Sequence, residues 1–204
     1  MTTTTRWAGL LASERAWRSE DTEGVNPLRE TLYGRGFVAI DGGVSGAALV
    51  IRPWKRWPVV PYLAEFLTDE NALFRLGQAA AEVDAAAIVA EAGYLNVRQP
   101  SSLTTARACG LAIGAIAAHA GIPMHLVHVP PATWQEWSLD LSTAAARDER
   151  KRQAIDAADL AMRRLDARPI GDGQSVERRS AFCDAWGIAT WWATAPRGVR
   201  VLRR

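Results

Sequence analysis

Cysteine is nearly missing from this chain. Cys109 and Cys183 are the only two among 204 residues, too few for a disulfide framework, and no Cys/His spacing suggests zinc. Each falls within a helical pattern, so both are expected to be reduced and buried. Histidine is scarce too. His119, His125 and His128 lack a carboxylate or cysteine pattern that would make them ligands, and they read as structural or surface residues. Net charge is small, with 24 Lys/Arg against 22 Asp/Glu. Long apolar runs are also missing. The longest, Gly110 to Ala118, is far shorter than the roughly 20 residues that cross a bilayer, and the N-terminal "MTTTTRWAGLLASERAW" has no signal core followed by a cleavage site. These absences lead to the expectation of a soluble, cytoplasmic protein with no membrane partner.

What is present is apolar mass. The chain is 49% hydrophobic, ample for one domain with a full core and short for two. Residues 1–35 read as an N-terminal extension, with a short amphipathic helix over Arg6 to Arg18 and a polar linker, "SEDTEGVNP". Residues 36–204 read as one domain. The charge is uneven. Residues 147–204 carry 13 Lys/Arg against 8 Asp/Glu, and the remainder carries 11 against 14. A basic C-terminal third suits a polyanionic partner.

Apolar runs predict strands at 36–41 and 46–52. The proline-rich "RPWKRWPVVPY" allows at most a short edge strand. A helix follows at 68–83, capped by Thr68 or Asp69. "AAAIVA", Ala85 to Ala90, predicts another buried strand. Ser101 or Ser102 opens a helix that ends at Gly121, and Pro123 to Val129 is a further strand. Helices are predicted over 142–165 and from Ser175 to about Ala193. The order β-β-(β)-α-β-α-β-α-α makes the chain α/β, a mixed sheet flanked by helices.

Two of the apolar runs end in an acid. "FVAI" delivers Asp41 and "AAAIVA" delivers Glu91. If their strands are parallel neighbours, the two carboxylates lie side by side, repel, and raise each other's pKa. Such an arrangement is kept mainly where cations neutralise it, and oxygen ligands suit Mg²⁺ or Mn²⁺. Taken alone, Asp41 reads equally well as a turn aspartate bonding its own backbone. A third acid, Asp184, lies inside the nearly apolar "SAFCDAWGIATWWA". A lone carboxylate there needs a metal or a salt bridge, for which Arg178 or Arg179 is available.

Four segments together, "FVAIDGG", "AAIVAEAGYLN", "LTTARACGLAIGAIAAHAG" and "CDAWGIATWWA", resemble the RuvC family of Holliday-junction resolvases, particularly its divergent phage members. The family's first strand ends in I-D-x-G, matched by Ile40, Asp41 and Gly43. Its fourth strand ends in a glutamate followed three residues later by an aromatic, matched by Glu91 and Tyr94. The next helix is rich in small residues, and the last carries D-A-x-x-I-A, matched by Asp184, Ala185, Ile188 and Ala189. The resemblance spans residues 36–193. One departure is plain: the family's fourth acid, one turn before the last-helix aspartate, is replaced by Ser180 and Ala181. Glu177, two turns before Asp184, is the alternative ligand, and Asp172 is another.

The resemblance implies a ribonuclease H-like fold and metal-dependent hydrolysis of DNA phosphodiesters. It implies two Mg²⁺ ions, with Mn²⁺ as substitute, held by the catalytic acids Asp41, Glu91 and Asp184; Glu177 is this chain's own candidate for the fourth catalytic and metal-binding acid. It implies that Tyr94 stacks on a base at the branch point and that Arg98, Arg107, Lys151 and Arg152 contact DNA. The implied partners are a four-way junction and a second copy of the chain, in the cytoplasm of a bacterial host if the chain is phage-encoded. Trp134, Trp137, Trp191 and Trp192 are available for a dimer interface or for the core. Other readings are a related nuclease acting on flaps, forks or RNA–DNA hybrids, a catalytically silent DNA-binding relative, and a fragment of an actin-like sugar kinase or ATPase suggested by "AIDGGVSGAAL".

Overall fold

The computed structural model describes residues 31–32, 34–43, 45–53, 59–91, 100–131, 134–135 and 147–194. Most of the N-terminal extension, together with Tyr94, Arg98 and Trp137, lies outside the described residues. The order is β1 (Phe37–Asp41), β2 (Ala47–Ile51), β3 (Pro61–Phe66), α1 (Glu70–Glu82), β4 (Ala87–Glu91), α2 (Pro100–Ala120), β5 (His125–Val129), α3 (Arg147–Arg164) and α4 (Val176–Thr194).

The five strands form one sheet in the order β3-β2-β1-β4-β5. β1 pairs antiparallel with β2, and β2 with β3. β1 pairs parallel with β4, and β4 with β5. The sheet is therefore mixed and flanked by helices, as the run-and-turn pattern predicts. β3 lies at the edge and begins on Pro61, a position that needs no ladder donor there; it starts later than the proline-rich stretch suggested.

Both faces of the central strands are covered, which explains their unbroken apolar sequence. Side chains alternate between two cores. Val38, Ile40, Ala48, Val50, Ile88 and Ala90 pack beneath α1 and α2 with Leu76, Ala80 and Ile116. Phe37, Ala39, Leu49, Ile51, Ala87 and Val89 pack beneath α3 and α4 with Trp134, Met162, Trp186 and Trp192. Leu32 joins this second core, so packing reaches back beyond Gly36.

Each helix follows from its sequence. Asp69 caps α1, its carboxylate accepting from the Asn71 N–H at 2.9 Å. In α3, Ala154, Ala157, Ala158 and Ala161 recur on one face and are buried. α4 is apolar nearly all round because it lies between the sheet and α3. Trp134, Trp186, Trp191 and Trp192 are all core. α2 differs. Its stretch Ser102–Ala120 is long and apolar enough by length and composition to cross a membrane, a property that the short unbroken run Gly110 to Ala118 conceals. One face of α2 covers the sheet, through Cys109, Ala112 and Ile116. The opposite face leaves Leu103 and Leu111 exposed at 65% and 67%.

Candidate metal centre

β1 and β4 lie side by side with Ile40 opposite Ala90. One residue further along each strand come Asp41 and Glu91, at the same end of the sheet. Parallel neighbours are about 4.8 Å apart, so two acids arrive next to one another at rigid strand ends. The period of two then sets their direction. Asp41 follows Phe37 and Ala39, and Glu91 follows Ala87 and Val89, onto the face that α4 covers. Asp184 stands on α4 between the buried residues Cys183 and Ala185.

The Asp41 charge raises both other carboxylates, and Glu91 also raises Asp184. Burial pushes Asp41 up to about 6, against a backbone hydrogen bond from Gly43 that lowers it. Burial first, and the Asp41 charge second, push Glu91 up to about 7. Asp184 is held well above the usual carboxylate range by burial and by the charges of Asp41 and Glu91, with Lys151 and Arg150 pulling the other way. Arg179 pairs with Asp159 instead of Asp184, and Arg178 sits over the Phe66 ring at 4.7 Å. Among the described residues, none of the ion pairs reaches Asp41, Glu91 or Asp184.

The segment after Asp41 is fitted closely. A Cβ on Gly42 would meet the Cys109 Sγ at 2.5 Å, so only glycine lets α2 lie against this strand end. Cys109 is thereby placed beside the acids, and its thiol is pushed up by burial and by the charges of Asp41 and Glu91.

The donor set fits a hard divalent cation, being carboxylate oxygens whose negative charge lacks an ion-paired partner among the described residues. Among those residues, no three His, Cys, Asp or Glu side chains are gathered tightly enough to ligate one ion as they stand. Coordination therefore requires these side chains to converge.

Glu177 stands exposed in the first turn of α4. Its carboxylate is not among the charges that move Asp184, and its carbonyl accepts from Ser180 Oγ at 2.8 Å. Asp172 is exposed in the preceding loop. Arg107 is exposed on α2, and Arg152 is exposed on α3. Lys151 and Arg150 lie near enough to Asp184 to favour its charged form. Arg150 was not singled out from the sequence, because the "RDERKR" run does not reveal which of its cations turns inward.

No protein-family model and no curated protein sequence matches this chain. In overall arrangement it is similar to Thermus thermophilus RuvC in complex with a Holliday junction substrate, at 15% identity and a TM-score of 0.48 over 78% of this chain and 95% of that one. A second Thermus thermophilus RuvC structure gives a TM-score of 0.43 at 15% identity, over 78% and 96% of the two chains. The yeast mitochondrial Holliday junction resolvase Ydc2 gives 0.46 at 12% identity, over 82% and 85%. Likeness at this level transfers no activity.

Proposed function

We propose that the chain is a ribonuclease H-like, metal-dependent endonuclease of RuvC type that cuts branched DNA, in particular four-way junctions. The observation that carries this is that three half-buried acids, two from adjacent parallel strand ends and one from the helix across them, lie near enough to feel one another's charge, without an ion-paired cation among the described residues. Asp41, Glu91 and Asp184 hold divalent ions through their carboxylate oxygens, and Glu177 serves the start of α4. Mg²⁺, or Mn²⁺ in its place, supplies charge neutralisation and Lewis acidity for phosphodiester hydrolysis when bound. The strand ends fix Asp41 and Glu91, and α4 fixes Asp184, so the donors are held on rigid elements. Lys151 and Arg150 offer positive charge beside Asp184 for the DNA backbone, and Arg107 and Arg152 extend it outward. Tyr94, three residues after Glu91, stacks on an unpaired base, and Arg98 meets a phosphate.

The partner copy docks on α2. Among the described residues, Gly110 and Gly114 have no atom within 4 Å of an added Cβ, so packing against those residues does not require glycine there. Each glycine costs a helix roughly 1 kcal/mol against alanine. Two of them four residues apart, flanked by exposed Leu103 and Leu111, suit close approach of a second helix. A two-fold dimer presents the same face twice.

Cleavage of a synthetic four-way junction in Mg²⁺, with duplex, flap and RNA–DNA hybrid controls, tests the function. Symmetric nicking of the junction is expected. Binding without cleavage in either metal would favour a silent DNA-binding relative, consistent with the absence of a tight three-ligand group among the described residues.

A further inference from the structure

Trp134 is 1% exposed and belongs to the core beneath α3 and α4, yet its indole N–H is not spent on the core. Nε1–H donates to Glu91 Oε2 at 2.8 Å. The residue follows β5, whose Val129 lies opposite Glu91 in the parallel register. Five residues beyond Val129, Trp134 brings its indole to the neighbouring strand's acid. A buried indole with no partner leaves its donor unsatisfied, and a half-buried glutamate with a free carboxylate rotates about its terminal torsion. This single contact removes both problems. It engages one oxygen and leaves Oε1 as the oxygen with no hydrogen bond to Trp134.

We propose that Trp134 is a positioning residue that locks the Glu91 carboxylate, so that Oε1 is presented to a divalent cation. This rests on the metal-site reading above. Groups that hydrogen-bond a ligating carboxylate orient it, and their loss typically costs 10- to 100-fold in metal affinity. Trp134 adds a neutral donor, so it holds Glu91 without cancelling the negative charge that attracts the ion. Lysine or arginine at the same place would hold Glu91 equally well and repel the cation.

Trp134→Phe keeps most of the ring and deletes the donor. Manganese binding to the DNA-free protein, measured by paramagnetic resonance of free Mn²⁺, is expected to weaken about tenfold or more. The Mg²⁺ concentration for half-maximal junction cleavage should rise in parallel, with most of the rate returning at saturation. In a Glu91→Gln background the same substitution should change Mn²⁺ binding little, because the partner is already altered. A merely structural Trp134 would lower the melting temperature and leave the metal curves superimposable, which overturns the proposal.

A measurement on protein that retains Trp134 guards against a variant that does not fold. Among the nine tryptophan indole N–H resonances, one should move both on adding Mg²⁺ and on Glu91→Gln. If no indole resonance responds to both, the proposal fails. If wild type binds no Mn²⁺ at all, the metal-site reading fails and this inference fails with it. Normal wild-type binding with an unaffected Trp134→Phe variant removes the inference alone.

Discussion

Asp41→Asn exchanges one carboxylate oxygen for an amide at the end of β1 and changes little in volume. It removes a ligand charge and also relieves repulsion of incoming phosphates. Cleavage should fall by at least a hundredfold, while junction binding in a gel-shift assay stays equal or tightens. Near wild-type cutting would place the chemistry elsewhere. Glu177 makes the opposite case. It lies in the first turn of α4, about 10.5 Å along the axis from Asp184, where a carboxylate favours the helix dipole by roughly 0.3–1 kcal/mol. Glu177→Gln should melt slightly earlier and cut with an unchanged Mg²⁺ curve. A curve shifted to higher Mg²⁺ would restore Glu177 as the fourth ligand.

At the scale of elements, the apolar runs ending in Asp41 and Glu91 made both strands legible, and the same runs marked the candidate site, because a buried strand has few reasons to finish on an acid. Asp184 was legible for the same reason, as one charge inside an apolar helix. The Trp134 contact was not. It depends on where the chain turns after β5, which local pattern does not encode. The inward face of "RDERKR" was hidden for a similar reason: period 3.6 leaves several cations equally placed until α3 docks. Counting unbroken apolar residues also understated α2, whose Arg107 is exposed and whose His119 packs edge-on against Phe74 of α1 at 5.3 Å, so neither breaks the helix's apolar packing; Leu111 lies on the exposed face. On that outward face, Leu111→Arg should convert a dimer to a monomer in light scattering while leaving the circular dichroism spectrum unchanged. A variant that keeps the wild-type mass would exclude α2 as the contact.

For the whole molecule, the acids make stability depend on pH and metal together. Folded Asp41 and Glu91 titrate near 6 and 7, above the unfolded values near 4. The folded state binds their protons more tightly, so their contribution is most favourable below about pH 4 and declines as pH rises through 6 and 7. Asp184 adds in the same direction, and Lys151 and Arg150 offset it in part. In chelator, wild type should therefore lose melting temperature between pH 5 and pH 8 relative to Asp41→Asn/Glu91→Gln. Excess Mg²⁺ at pH 8 should close most of that gap. Equal slopes for the two proteins in chelator would refute the burial of these carboxylates as a stability cost.

The strand order has a temporal consequence. β1 and β2 are joined by a short turn and can pair as soon as both have been synthesised, whereas β1 reaches β4 only after about fifty more residues and α4 arrives last among the described elements. The three acids come from residues 41, 91 and 184, so the centre is built in instalments that track synthesis at about 5–20 residues per second. An emerging chain already displays the first acid, but the apolar α4 must dock before the third joins it. A centre assembled in this way is incomplete on the ribosome, and its completion coincides with closure of the core beneath α4.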